Sequence, residues 1–152
     1  MTTEVRWGAY DSIASALTSG LDALGNNNHA ISSAIDFTAA GVDRKQYMDI
    51  EVYLSSVDLS AQVNPALYIW LVARSDGTNF EDGAAGTPGT NPARQPDCIV
   101  PLLAVNAAQR VFARLILTTP DQAKILVLNR SGAALAANSN TIKYYTYGDD
   151  LV

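Results

Sequence analysis

The residues that could do chemistry are few and scattered. His29 is the only histidine in the chain. That excludes a metal centre built on several histidines, and a Ser-His-Asp triad would have to use this one residue. It sits in the polar run Asn26-Asn27-Asn28-His29, where a solvated surface histidine is expected. Cys98 is the only cysteine, so no intramolecular disulfide can form. With Asp97 on one side and Ile99-Val100 on the other, it lacks the cationic neighbour that activates a thiol and should pack as a small hydrophobe. Asp76, Asn79, Glu81 and Asp82 gather oxygen ligands in one stretch but miss the regular spacing of a calcium loop. The glycine-rich residues 83–89 lack the Lys-Ser/Thr of a phosphate-binding loop. Carboxylate pairs for glycoside hydrolysis could be drawn from Asp49 and Glu51, yet any acidic β-protein offers such pairs. The reading assigns no catalytic, cofactor-binding or metal-binding set and expects no enzyme.

The aromatic residues are the more informative group. Tyr53, Tyr68, Trp70, Tyr144, Tyr145 and Tyr147 fall in segments that read as strands. Alternation points Tyr53, and either Tyr144 or the Tyr145/Tyr147 pair, away from the core. Exposed aromatics on a sheet can fill a subunit interface or stack on sugars. Trp7, Tyr10, Leu17, Tyr53, Phe80, Tyr145 and Tyr147 are the candidate interface residues.

Strands must carry most of these side chains. Residues 46–57 alternate cleanly, with Met48, Ile50, Val52 and Leu54 on one face and Asp49, Glu51, Tyr53 and Ser55 on the other. Residues 66–74, ALYIWLVAR, are apolar on both faces and read as a central strand covered on both sides. Residues 34–38, a run resuming at Ile99, and residues 110–117, 124–129, 133–137 and 141–147 complete about eight strands. Pro101 makes its run an edge or bulged strand. Asn129-Arg130-Ser131-Gly132 reads as a hairpin turn, with Gly132 free to take positive φ. Residues 75–97, rich in Gly, Pro, Asn and Asp, form a long loop expected to protrude and touch another chain. Ahead of the strands, residues 1–10 read as an extended arm. Asp11 or Ser12 caps a short helix to Leu24, with Ile13, Leu17, Leu21 and Leu24 at helical spacing and Gly25 as its stop. The expected fold is all-β: a single antiparallel β-sandwich, jelly-roll or Greek-key like, over residues 29–152, preceded by an arm and helix over 1–28.

Composition narrows the partners. The chain has 152 residues, a net charge of −5, 48% apolar residues and only 16% charged ones. Globular domains average roughly 25% charged residues, and burial against neighbouring subunits is one reason for a shortfall. The ten basic residues are scattered, so no nucleic acid partner is expected. No apolar run approaches the ~20 residues of a membrane helix, and no signal peptide is visible, so synthesis in a reducing cytoplasm and no membrane partner are expected.

The segment NAAQRVFARLILTTPDQAKILVLNRSGAALAANSNTIKYYTY resembles the C-terminal part of small structural proteins of tailed-phage virions. The upstream RWGAYDSIASALTSGLDAL and IEVYLSSVDLSAQVNPALYIWLVARSDGTNFEDG are similar to the same group. The resemblance implies a capsid decoration (cement) protein, or a tail or head-fibre component. It further implies a homo-oligomer, a trimer above all, seated on the capsid exterior with the major capsid protein as partner. A carbohydrate-binding β-sandwich module is the alternative. The resemblance carries no functional residues position by position and no cofactor.

Overall fold

A computed structural model describes residues 5–7, 12–37, 46–74, 77–82, 91–116 and 121–151. These residues form eleven strands and no helix. A two-stranded ladder joins β1 (Val5–Trp7) to β11 (Asp149–Leu151), so Asp149 and Asp150 lie in a strand. The four-stranded sheet runs β2 (Ala14–Leu17), β10 (Thr141–Tyr147), β5 (Tyr47–Asp58), β8 (Asn106–Ile116). The five-stranded sheet runs β3 (His29–Ile31), β9 (Gln122–Arg130), β6 (Ala66–Arg74), β7 (Cys98–Pro101). β4 (Ile35–Asp36) also pairs with β9. Every pairing is antiparallel.

The two large sheets share one core, which makes the molecule a β-sandwich. Met48, Ile50, Val52 and Leu54 of β5, Ile142 of β10 and Leu115 of β8 meet Leu67, Ile69 and Leu71 of β6 and Ile125 and Val127 of β9. All of these side chains are buried, as the period-two pattern predicts; Val111 packs against them only partly buried. The pairings are also nested. β1 pairs with β11, β2 with β10, β3 and β4 with β9, β5 with β8, and β6 with β7. The chain is thus one long hairpin whose tip is the β6–β7 connection, rolled so that β10 meets β5 and β9 meets β6.

Three local expectations are corrected. The predicted helix ending at Leu24 is absent: residues 14–17 are a strand on the edge of β10, followed by turns. Leu17 and Leu21 do enter the core, but as a strand residue and a turn residue whose spacing merely coincides with a helical one. Thr18-Ser19-Gly20 is poor helix material, and so short a helix would have little stability alone. Residues 14–17 therefore belong to the sandwich and not to a separate 1–28 unit. Residues 133–137 are likewise no strand. Their backbone bonds go to the β2–β3 loop, from Ala23 N to Ala136 O (2.8 Å) and from Leu135 N to Leu24 O (3.0 Å). Gly132 has the positive φ expected of it, +89°, and a Cβ there would collide with Gln62 Oε1. Elsewhere β7 is an edge strand, as Pro101 requires, and β6 is flanked by β9 and β7.

The long loop behaves differently from the expected protrusion in its described parts. Residues 75–76 and 83–90 lie outside the described residues, but residues 77–82 and 91–97 fold back on the outer face of the five-stranded sheet. Phe80 packs against a second cluster of Trp70, Val72, Leu126 and Leu128. Trp70 Nε1 donates to Arg94 O (3.1 Å), and Pro92 is buried. The second apolar face of β6 is covered by its own chain.

Candidate functional site

The outer face of the four-stranded sheet brings together the richest set of interacting side chains. Alternation in β5 turns Asp49, Glu51 and Tyr53 outward. Register places Tyr145 beside Asp49, Lys143 beside Glu51 and Thr141 beside Tyr53 on β10. On the other flank, β8 sets Arg114 beside Asp49, Phe112 beside Glu51 and Arg110 beside Tyr53. The fold thus converts three sequence-distant stretches into one aromatic and charged surface.

Asp49 is its centre. Arg114 donates to both carboxylate oxygens, Nε to Oδ1 at 2.9 Å and Nη2 to Oδ2 at 3.2 Å. Tyr145 Oη donates to Oδ2 (3.1 Å) and Tyr147 Oη to Oδ1 (3.3 Å). The Arg114 hydrogen bond holds the Asp49 carboxyl below the ordinary carboxylate range, although burial opposes it, and the two tyrosines add to the lowering. Such a group stays ionised and acceptor-only, which unfits it as a general acid at neutral pH. The rings are packed in the same way. Tyr47 stacks on Tyr147 at 5.2 Å between centroids, Tyr145 lies tilted at 6.5 Å, and the Arg114 guanidinium sits 5.4 Å above the Tyr147 ring. One strand step along, Arg110 Nη1 pairs with Glu51 Oε1 and covers the Tyr53 ring at 4.9 Å.

Phe112 stands between these two clusters and is 61% exposed. It borders a shallow pocket of about 210 Å³ lined by Asp49, Phe112, Ala113 and Arg114. Among the described residues no three His, Cys, Asp or Glu side chains are grouped to hold a metal ion. What the surface offers is shape, fixed charge and an apolar ring. Those are the ingredients of recognition.

The sequence-derived candidates are distributed as follows. Tyr53 and Tyr145 lie on this face, partly buried. Tyr147 faces the same way but is buried under its neighbours, while Tyr144 packs inward against the core. Leu17 leaves the candidate set, because its side chain is buried in the core. Phe80 is on the opposite sheet, between Arg74 (5.7 Å to the ring centroid) and Lys124 (4.6 Å). Trp7 is in β1 opposite Asp149, and Tyr10 lies outside the described residues. Sequence reasoning missed Phe112, Arg110 and Arg114. The signal was present: Val111, Ala113 and Leu115 face inward, so their alternate neighbours face out.

The lone chemical residues have structural partners. His29 Nε2 donates to Asn91 Oδ1, so this histidine is tied to the long loop and not simply solvated. Cys98 is half-buried against the core, and burial, reinforced by Asp97, raises its thiol pKa, as expected of a packing residue. Glu81 accepts Arg94 Nε at 2.6 Å and Nη2 at 3.1 Å, which engages both of its carboxylate oxygens. Among the described residues no helix is long and apolar enough to cross a membrane. No protein-family profile matches the chain, and neither does any curated protein.

Proposed function

We propose that this chain is a structural protein of a tailed-phage virion. It binds the exterior of an assembled head as a homo-oligomer, a trimer above all, and stabilises the shell without catalysing a reaction. The observation that carries the reading is the nested strand pairing. Numbered along the sandwich, eight strand positions give sheet orders 1-8-3-6 and 2-7-4-5, with β3 and β4 sharing position 2. We take this to be a jelly roll, an architecture used by viral capsid domains and by lectins. The resemblance of three long segments to virion structural proteins selects the capsid branch. The Asp49–Arg114–Phe112 surface supplies a contact face rich in the aromatics and arginine favoured at interfaces. Binding only to the assembled lattice would stabilise that lattice by mass action.

The test is to purify particles of the virus encoding the chain and to count copies against the major capsid protein. Copies in proportion to the capsid lattice support decoration, a few copies indicate a tail or head fibre, and none overturns the reading. The lectin branch is the second reading, favoured by the exposed Phe112 ring bordering a pocket with a fixed ion pair. Glycan-array binding lost in Phe112→Ala, Tyr145→Ala or Tyr53→Ala would move it to the front.

A further inference from the structure

One end of the sandwich differs from the rest of the surface. The loops of residues 18–28, 59–65, 102–105 and 131–140 all leave the strands at this end, as the nested pairing requires. They are joined to one another: Leu59 N donates to Val105 O (3.1 Å), Leu102 N to Pro65 O (2.8 Å) and Gly132 N to Asn26 Oδ1 (3.1 Å). Within the four loops the only charged residue is Asp22, while Asp58, bonded to Ser60, and Arg130, bonded to Asn27, stand at their edges. Asp22 Oδ1 accepts Asn140 N and Nδ2, each at 3.0 Å. The apolar side chains here are exposed, with Val63 at 87%, Leu103 at 68% and Val105 at 38%.

These side chains are held out by a rigid frame. Leu103 N donates to Gln109 Oε1 (2.7 Å), and Gln109 Nε2 donates back to Leu103 O (2.9 Å), with Gln109 itself buried. The main chain of Leu103 is clamped on both sides while its side chain projects. An apolar group fixed in place loses little entropy on binding, which is what an association surface needs.

We infer that copies of this chain associate with one another through this charge-poor end. The inference rests on the homo-oligomer reading and names its contact surface. The occupant follows from charge. Each copy carries a net charge of −5, so two copies repel one another on average, and least where few charges lie. The opposite end carries Asp36, Glu81, Asp97 and Asp121 on or beside its loops, the last three paired with Arg94 and Arg74. The Val63–Leu103 end is where identical acidic molecules can meet with few charges opposed and with apolar area to bury. Interface cores are depleted in charge in this way. The charged face around Asp49 is left for a different partner.

The experiment measures the mass of the full chain by sedimentation equilibrium, for the wild type, Val63→Asp, Leu103→Asp and Phe112→Asp. All three side chains are exposed, and circular dichroism verifies folding. The wild type should be a multiple of 16.2 kDa. Raising salt from about 0.05 to about 0.5 M, which shortens the screening length, should not dissociate it. Val63→Asp and Leu103→Asp should each raise the dissociation constant at least tenfold, on the order of 1.4 kcal/mol. Phe112→Asp should retain the wild-type mass. Should Leu103→Asp fail to fold, Val63→Ser must still weaken association in the same direction. An oligomeric wild type whose mass survives Val63→Asp and Leu103→Asp, or falls apart in high salt, overturns this surface alone. A wild type of 16.2 kDa at all concentrations overturns the homo-oligomer reading together with it.

Discussion

Buried amide side chains do the work of missing ladder partners where the rolled hairpin changes direction. Asn129 is fully buried. Its Nδ2 donates to Leu24 O (2.8 Å) and Ala133 O (2.9 Å), and its Oδ1 accepts Ser131 N (2.9 Å). Asn140, also fully buried, donates to Ala136 O (2.7 Å) and accepts Ser55 N (3.0 Å). Ser55 lies where β5 slips one residue against β8, between Leu54 and Val57, so its amide needs this substitute acceptor. Asn129→Ala would leave Ser131 N without its acceptor and take one of two donors from Leu24 O and Ala133 O, which keep Leu135 N and Ser131 Oγ. An unsatisfied buried group costs about 1–3 kcal/mol. Chemical denaturation should therefore show a loss of at least about 1 kcal/mol, with the β2–β3 loop losing hydrogen-exchange protection first. A loss below about 0.5 kcal/mol, the scale of ordinary surface changes, would contradict this role. Asp49 gives a pH prediction. Its folded carboxyl titrates below the ordinary range, so the stability it contributes is complete above that range and is lost as the pH falls through the lowered value. Asp49→Asn should flatten the acid limb of the thermal midpoint against pH. A variant whose acid limb matches the wild type would show that other carboxylates carry that dependence.

At the scale of elements, the strands whose two faces see different surroundings were legible, and those defined by partners were not. β5 announces itself because Met48, Ile50, Val52 and Leu54 alternate with Asp49, Glu51 and Tyr53. β6 announces itself as central because both faces are apolar. What covers its second face was hidden, since Phe80 and the carbonyl of Arg94 come from a segment without periodicity. β2 was hidden by a coincidence of spacing, and residues 133–137 by a strand-like composition whose backbone bonds go to another loop. The site was half legible. Alternation puts Tyr53, Tyr145 and Tyr147 on the outer face, but the 65-residue separation of Asp49 and Arg114 is bridged only by strand register. Arg94 shows how the covering loop is held. Besides Glu81, its Nη1 reaches Asp97 Oδ1 (2.6 Å) and its Nη2 reaches Leu71 O (2.8 Å), while Asp97 Oδ2 accepts Leu71 N (2.7 Å). The guanidinium is held more firmly protonated by Glu81 first, then by Asp97, so it stays a cation at any working pH. It is partly exposed, which limits its contribution to stability. Arg94→Ala should therefore cost only about 1 kcal/mol globally, on the scale of a charge-assisted hydrogen bond discounted for screening. It should also speed proteolysis between residues 77 and 97 and shift Trp70 fluorescence to the red. Unchanged cleavage and emission would mean that Phe80 and Pro92 hold the loop unaided.

At the scale of the whole molecule, the surface divides by chemistry. The loop end is poor in charge and exposes Val63 and Leu103, while the outer face of the four-stranded sheet mixes Asp49, Glu51, Arg110, Arg114 and Lys143 with aromatic rings. A shell protein that assembles with itself and also seats on a lattice needs two such surfaces, because one patch cannot be filled by two partners at once. Under the proposed function, the sheet face would be the lattice contact. Its charges are largely paired within the chain, so long-range attraction is modest and the apolar ring of Phe112 is the natural anchor. Phe112→Asp places a carboxylate between Asp49 and Glu51, neither adding nor removing a core contact. The variant should keep the wild-type fold and solution mass yet co-sediment with undecorated heads at least tenfold more weakly. Heads incubated with it should release DNA at the temperature of bare heads, below that of heads carrying the wild type. Arg114→Ala should lose binding as well, since it frees the Asp49 carboxylate and unseats the rings of Tyr145 and Tyr147. If both variants decorate heads as the wild type does, the lattice contact lies elsewhere and the aromatic face must be assigned a different ligand. In that case the glycan readout of the same Phe112 and Tyr145 substitutions decides what it binds.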